Sequence, residues 1–214
     1  IPASFMPHAW FLKNLKEGER MAFDKLKRGT DLILAALLLI TTIPFWLIIT
    51  LAIKLEDRGP IIYSQERICK DKKPFFLFKF RSMKMDAEKK TGPVWAEEKD
   101  SRTTKVGRIL RRLHLDELLQ MINVLRGEIS LVGPRPERPE FVQQLEKEIP
   151  HYHIRHLIRP GFTGWAQIKF RYGRSVIDSQ EKFQYDLYYL KNRNLFLDLG
   201  ILLKTLQLFF KNDK

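Results

Sequence analysis

An uncharged run of about 22 residues, Leu32 to Ile53, set between charged flanks, limits what this chain can fold into more than any other feature. At about 1.5 Å of rise per residue, a continuous helix of that length is long enough to cross a hydrocarbon core of about 30 Å. A cleaved signal peptide has a shorter apolar core and a small-residue cleavage site, and it does not follow some thirty residues rich in charge. The run reads as a retained membrane segment.

Its flanks bear on topology. Lys25, Lys27 and Arg28 precede it, Lys54 and Arg58 follow it, and cytoplasmic flanks are normally the Lys/Arg-rich ones. Neither end looks external. Pro44 lies mid-run, where it removes a backbone donor and crowds the preceding turn, so a kink is expected there. Together these favour a re-entrant hairpin that enters and leaves on the cytoplasmic face, with Thr41 and Thr42 placed to bond the carbonyls that Pro44 leaves unpaired. An ordinary kinked spanning helix fits the same pattern.

The remainder is sized for one catalytic unit: 214 residues, 44% hydrophobic, bury one core but not two large ones. A formal charge of +13 points to an anionic partner, whether nucleic acid, nucleotide, phosphate or acidic lipid, and charge alone does not choose among them. The single cysteine, Cys69, excludes an intramolecular disulfide and a thiol-based zinc site and suits a reducing compartment. The chain opens at Ile1 without a methionine, as a processed or a truncated protein would.

After the turn signal Arg58-Gly59-Pro60, the segments 61–64 and 75–80 read as short strands, and the Lys-rich stretch 86–105 as a mobile surface loop. Helical apolar spacing predicts a helix over 106–124, a second over 139–149 and a third over 179–189. The segment 195–210 is apolar on most of its circumference yet carries Asp198 and Lys204, which suits a helix lying in a membrane interface or, equally, a C-terminal core helix.

Four motifs carry candidate chemistry. Asp116-Glu117 in the first helix is an acidic pair able to bind a hard cation if a site lies at the seam between their faces; a solvated face making ion pairs fits as well. Pro134-Arg135-Pro136 holds a guanidinium on a stiff turn, suited to phosphate or base-edge recognition or to nothing beyond a surface turn. Lys79 and Arg81, two apart in a strand, share a face and can clamp a diphosphate or merely guard a strand edge. The loop 158–168 is glycine-spaced and opens near Arg159, but it lacks the Walker and dinucleotide patterns. The five histidines show no metal spacing, and no serine sits in a nucleophile elbow.

Taken together, Lys79-Phe80-Arg81-Ser82-Met83, the run Arg111 to Leu118, the run Asn123 to Pro136 and Arg159-Pro160-Gly161-Phe162-Thr163-Gly164-Trp165-Ala166-Gln167 closely resemble the bacterial sugar transferases, the monotopic phosphoglycosyl transferases. The resemblance runs from about Lys25 to the C-terminus. Phe170-Arg171-Tyr172-Gly173 and the run Tyr185 to Asn192 look more like the exopolysaccharide type, whose members usually carry further N-terminal membrane helices. Two positions depart from the family pattern: Ile43-Pro44 stands where Ser-Pro is frequent, and Lys169-Phe170-Arg171 where smaller members carry Asn-Gly-Arg.

The resemblance implies an α/β (α+β), helix-rich fold. It divides into an N-terminal segment 1–24, a re-entrant membrane helix 25–58 and a small catalytic domain 59–214 with interfacial amphipathic helices. It implies Mg2+-dependent transfer of a sugar-1-phosphate from a UDP-sugar donor to polyprenyl (undecaprenyl) phosphate at the cytoplasmic face of the bacterial inner membrane, among membrane lipids and without nucleic acid. Asp116 matches the family's nucleophile and Glu117 its dyad partner, with the metal near both. Lys79, Arg81, Arg111, Arg135 and Arg171 match cations that hold phosphates or nucleotide. The rival reading is a membrane-anchored basic module that binds nucleic acid or anionic lipid without chemistry. It predicts evenly scattered cations and aromatic stacking motifs, where this sequence gathers arginines around an acidic pair.

Overall fold

The computed structural model describes residues 17–85, 87, 92, 100–170 and 175–210. It is a helix-rich α+β fold built along one long N-terminal helix, α1 (Glu17–Asp57). An antiparallel hairpin follows, β1 (Ile62–Ile68) and β2 (Pro74–Phe80), then α2 (Lys105–Arg112), a 3₁₀ turn (Leu115–Glu117) and α3 (Gln120–Arg126). The rest comprises β3 (Ser130–Val132), α4 (Pro139–Glu148), a 3₁₀ segment (Tyr152–Leu157), β4 (Gly161–Thr163), α5 (Trp165–Lys169), α6 (Val176–Asn192) and α7 (Leu195–Phe210). β3 and β4 form a second, parallel pair.

Helix α1 runs without interruption through Pro44. The threonines before it bond within their own turns: Thr41 Oγ1 donates to the Leu37 and Leu38 carbonyls, and Thr42 Oγ1 to those of Leu38 and Leu39. The carbonyl that a proline at position 44 deprives of its donor is that of Ile40, so the expected rescue by these hydroxyls is not what they do. Only 17% of the apolar window is buried against the rest of the protein, and Leu47, Ile33 and Ile40 are 76%, 69% and 69% exposed. A helix of a water-soluble core would hide such residues.

What α1 does bury lies on one side and toward both ends. Ala35 joins a core with Phe75, Leu77, Met121, Val124, Leu131 and Tyr189, while Ile49 and Ile53 join Phe80, Leu110 and Leu119. Polar contacts mark the same two ends. Asp31 accepts from Ser130 Oγ at 2.7 Å and the Leu131 amide at 3.1 Å, and Arg28 donates to the Val124 and Leu125 carbonyls at the end of α3. At the other end Glu56 accepts from the Lys105 and Val106 amides that open α2, and Asp57 pairs with Arg81. Both ends of α1 are therefore fastened to one and the same domain. Of the flanking cations read from sequence, Arg28 takes part directly and Lys27 pairs with Asp198 of α7, while the anchors at the far end are the acidic Glu56 and Asp57 rather than Lys54 or Arg58.

The helix expected over 106–124 is broken in two. Leu113 leaves helical geometry, His114 takes a left-handed conformation (φ 53°), and the chain re-enters as the 3₁₀ turn before α3. The cause is tertiary: Leu110 of α2 packs against Ile49 and Ile53, Met121 and Val124 of α3 against the Ala35 cluster, and one straight helix does not serve both. The other expected helices stand. α4 starts with Pro139, α6 opens on a Ser175–Asp178 capping box, and α7 covers Leu195–Phe210. In α7 Ile201 is fully buried, as a core helix requires, while Phe196, Leu199, Leu203 and Leu206 leave an exposed apolar stripe at helical spacing. The loop expected over 158–168 contains β4 and α5. Most of the loop expected over 86–105 lies outside the described residues, and within them Thr103 bridges to Met83.

Candidate active site

The break between α2 and α3 makes the site. In a 3₁₀ turn successive residues diverge by about 120°, and here Asp116 is turned inward at 6% exposure with Glu117 beside it. The expectation that both sit on one straight α-helix gives way to a tight turn whose flanks are each anchored on α1.

Glu117 is gripped by two cations. Lys79 Nζ, from β2, donates to its Oε1 at 2.6 Å, and Arg135 Nη2, from the Pro134-Arg135-Pro136 turn, reaches the same oxygen at 3.3 Å. Burial opposes ionisation of Glu117, but the charges of Lys79 and Arg135 outweigh it and hold the carboxyl well below the usual carboxylate range. Asp116 goes the other way. Burial, and then the neighbouring charge of Glu117, push its carboxyl up, against the pull of Lys79 and Arg111. Two adjacent carboxyls whose environments drive them apart form a site primed for different roles.

Arg135 owes its position to close backbone contact between β3 and β4. The Gly133 amide donates to Thr163 O and the Gly161 amide to Pro134 O, and a Cβ on Gly161 would collide with the Gly133 backbone. Lys79 is held by the β hairpin, which Asn123 fastens to α3. Its side chain, fully buried, donates to Phe76 O at 2.7 Å and accepts from the Phe78 amide at 3.1 Å, completing strand bonding on that edge.

Five described residues had been singled out as dyad or cations, apart from Arg81. Four of them, Asp116, Glu117, Lys79 and Arg135, meet here, and Arg111 acts on Asp116 through its charge while its guanidinium donates to Thr103 Oγ1. Arg81 does not share Lys79's surroundings. It follows the last residue of β2, is 7% exposed, and pairs with Asp57 at the end of α1. Arg171 lies outside the described residues. Sequence reasoning missed Asn123, Asp31 and the buried pair Arg155–Asp186, because nothing in their spacing marks a residue that meets a partner 31 to 100 positions away.

No group of three or more His, Cys, Asp or Glu side chains gathers among the described residues. The donors present are two adjacent carboxylates, with one Glu117 oxygen already engaged by cations. That set fits Mg2+, which binds through one or two carboxylates together with substrate phosphates and water.

A family model described as bacterial sugar transferase matches residues 22–212. The chain is 42% identical over 182 residues to a UDP-N-acetylgalactosamine-undecaprenyl-phosphate N-acetylgalactosaminephosphotransferase of Aeromonas hydrophila, covering 85% of this chain and 43% of the relative. It is 42% identical over 189 residues to a UDP-glucose:undecaprenyl-phosphate glucose-1-phosphate transferase of Escherichia coli (strain K12), covering 87% and 40%. A relative of that same description from Caulobacter vibrioides is 39% identical over 198 residues, covering 91% and 73%. The chain thus spans about two fifths of the length of the first two relatives.

Proposed function

The chain belongs to the bacterial sugar transferase family, and on that premise we propose that it moves a sugar-1-phosphate from a UDP-sugar to undecaprenyl phosphate. The observation that carries this is the placing of a buried Asp116 beside a Glu117 clasped by Lys79 and Arg135.

Asp116 is the nucleophile. Its carboxylate oxygen attacks the β-phosphorus of the UDP-sugar, the bond from that phosphorus to the bridging oxygen breaks, and UMP departs with the bonding pair. This leaves an aspartyl phosphosugar. A phosphate oxygen of undecaprenyl phosphate then attacks the same phosphorus, restoring the Asp116 carboxylate and releasing undecaprenyl diphosphosugar. Lys79, Arg111 and Arg135 offset the charge on the transferred group, and the rigid fork of Arg135 orients it. Mg2+ held by Asp116 and Glu117 would supply further neutralisation of the diphosphate. In the absence of substrate Glu117 keeps Lys79 and Arg135 together, ready for the donor phosphates.

The acceptor is a lipid, and the exposed apolar surfaces of α1 and α7 suit contact with lipid. Both ends of α1 are fastened to one domain, which favours entry and exit on the same, cytoplasmic face of the inner membrane over a span that parts the ends. Such re-entry requires α1, continuous here from Glu17 to Asp57, to bend at Pro44 in the membrane. The exopolysaccharide-type features of the sequence support a role for the product at the start of exopolysaccharide or related glycoconjugate assembly.

The test is UMP release from a panel of UDP-sugars with undecaprenyl phosphate and Mg2+. Release with at least one donor, together with formation of the lipid-linked phosphosugar, is expected. A purified, folded protein that releases UMP from none of them overturns the reading.

A further inference from the structure

Arg155, in the 3₁₀ segment Tyr152–Leu157, is 5% exposed and has all of its guanidinium engaged. Nε donates to Asp186 Oδ2 at 3.1 Å, and Nη2 lies 2.9 Å from the same oxygen. Nη1 donates to the Tyr152 hydroxyl at 2.8 Å, and Nη2 also donates to the backbone carbonyl of Arg135 at 2.9 Å. Asp186, on α6, is itself 3% exposed, so this is an ion pair taken wholly out of water.

A buried pair of this kind contributes little net stability over an apolar replacement, so its use is better sought in geometry. The geometry leads to the site. The carbonyl that Arg155 holds belongs to the residue whose side chain reaches Glu117, and a peptide carbonyl fixed in direction fixes where that side chain starts. The chain of contacts runs from Asp186 through Arg155 to Arg135, and from there to Glu117 and Lys79.

We propose that Arg155, clamped by Asp186, is a positioning residue for Arg135: it sets the direction of the Pro134-Arg135-Pro136 turn and thereby the place where a donor phosphate is held. This rests on the transferase reading above. Lysine cannot replace it, because a single ammonium does not span Asp186, Tyr152 and the Arg135 carbonyl from one plane.

The experiment is a double-mutant cycle on UMP release, with Arg155→Lys, Arg135→Ala and both together, beside an NMR measurement of the Arg135 guanidinium in 15N-arginine-labelled protein, assigned through Arg135→Lys. If Arg155 acts through Arg135, Arg155→Lys lowers kcat/KM for the UDP-sugar at least about tenfold alone and little further in the Arg135→Ala background. The Arg135 resonance also shifts or broadens. Equal losses in both backgrounds, or an Arg135 resonance left where it was, overturn the proposal. Should Arg155→Lys fail to fold, Tyr152→Phe removes only the acceptor of Nη1 and is expected to move both readouts in the same direction by less, and no movement there counts against it. A native enzyme without UMP release from any donor defeats the transferase reading instead, and the Arg135 resonance still decides on Arg155.

Discussion

Lys79 and Glu117 stand 38 positions apart in the chain and meet with Nζ 2.6 Å from Oε1, so a strand and a 3₁₀ turn are joined at the point where the phosphates of a donor would arrive. Removing either partner leaves a charge in a partly dry site. Lys79→Met is expected to cut kcat/KM for the UDP-sugar by about tenfold or more, and Glu117→Gln to slow turnover while some covalent adduct still forms. Steady-state UMP release and intact-mass spectrometry read the two effects separately. Adduct levels in Glu117→Gln equal to zero would assign Glu117 to the attack itself.

Asp116→Asn keeps size and removes the anionic nucleophile. Incubated with UDP-sugar and Mg2+ but no lipid, the native enzyme is expected to release one UMP and retain a phosphosugar on Asp116, and the variant to do neither, with turnover lower by on the order of 10³-fold or more. UMP release from the native enzyme that strictly requires lipid would instead indicate a single displacement.

The acid limb of that first step follows from the same residue. Burial and the charge of Glu117 raise the Asp116 carboxyl above the ordinary aspartate value of about 4. On acidification it therefore takes up its proton, and loses nucleophilicity, at a higher pH than a solvated aspartate. Glu117, held low by Lys79 and Arg135, remains ionised across that window. Single-turnover UMP release should fall with one proton and a midpoint above about 4; a flat profile down to that value would contradict the assignment.

Arg135→Lys retains the charge but loses the planar fork. An approximately 10- to 100-fold loss in kcat/KM is expected, with the melting temperature nearly unchanged, because the side chain is anchored through its backbone rather than through a packed core. Native-like kinetics would show that charge alone suffices.

For topology, Cys69 is replaced and single cysteines are placed at Lys25 and at Arg58. Both are expected to resist an impermeant thiol reagent applied to intact cells and to react once the cells are opened. Labelling of one of them from outside would establish a spanning helix.

Stability offers an independent check on the scaffold. Asn123 is fully buried and completes the bonding of Phe76 O and the Phe78 amide. Asn123→Leu strands these groups, at about 1–3 kcal/mol for each one left unpaired, and denaturation in detergent is expected to register it.

Much of this protein could be read along the chain. The apolar run Leu32–Ile53, the start of α4, and the existence of α6 and of the two hairpin strands lie in local pattern, and contiguous motifs singled out Asp116, Glu117, Lys79 and Arg135, which the fold brings together. The spacing Ile109, Leu110, Leu113, Leu118, Met121 and Ile122 also predicted a single helix, and there the pattern misled. Periodicity records which residues are apolar, and Leu110 and Met121 are both buried, but against different ends of α1.

Composition and motif by themselves determined that a long apolar segment accompanies a small basic domain with an acidic pair and a stiff arginine turn. The tertiary structure alone decided that the pair sits on a 3₁₀ turn, that Lys79 and Arg135 share one Glu117 oxygen while Arg81 is drawn to Asp57, and that Asp116 and Glu117 are pushed in opposite directions. The reason is physical. A carboxyl's behaviour depends on the water it loses and the charges within a few ångströms, and those are supplied by residues tens of positions away that only packing brings together.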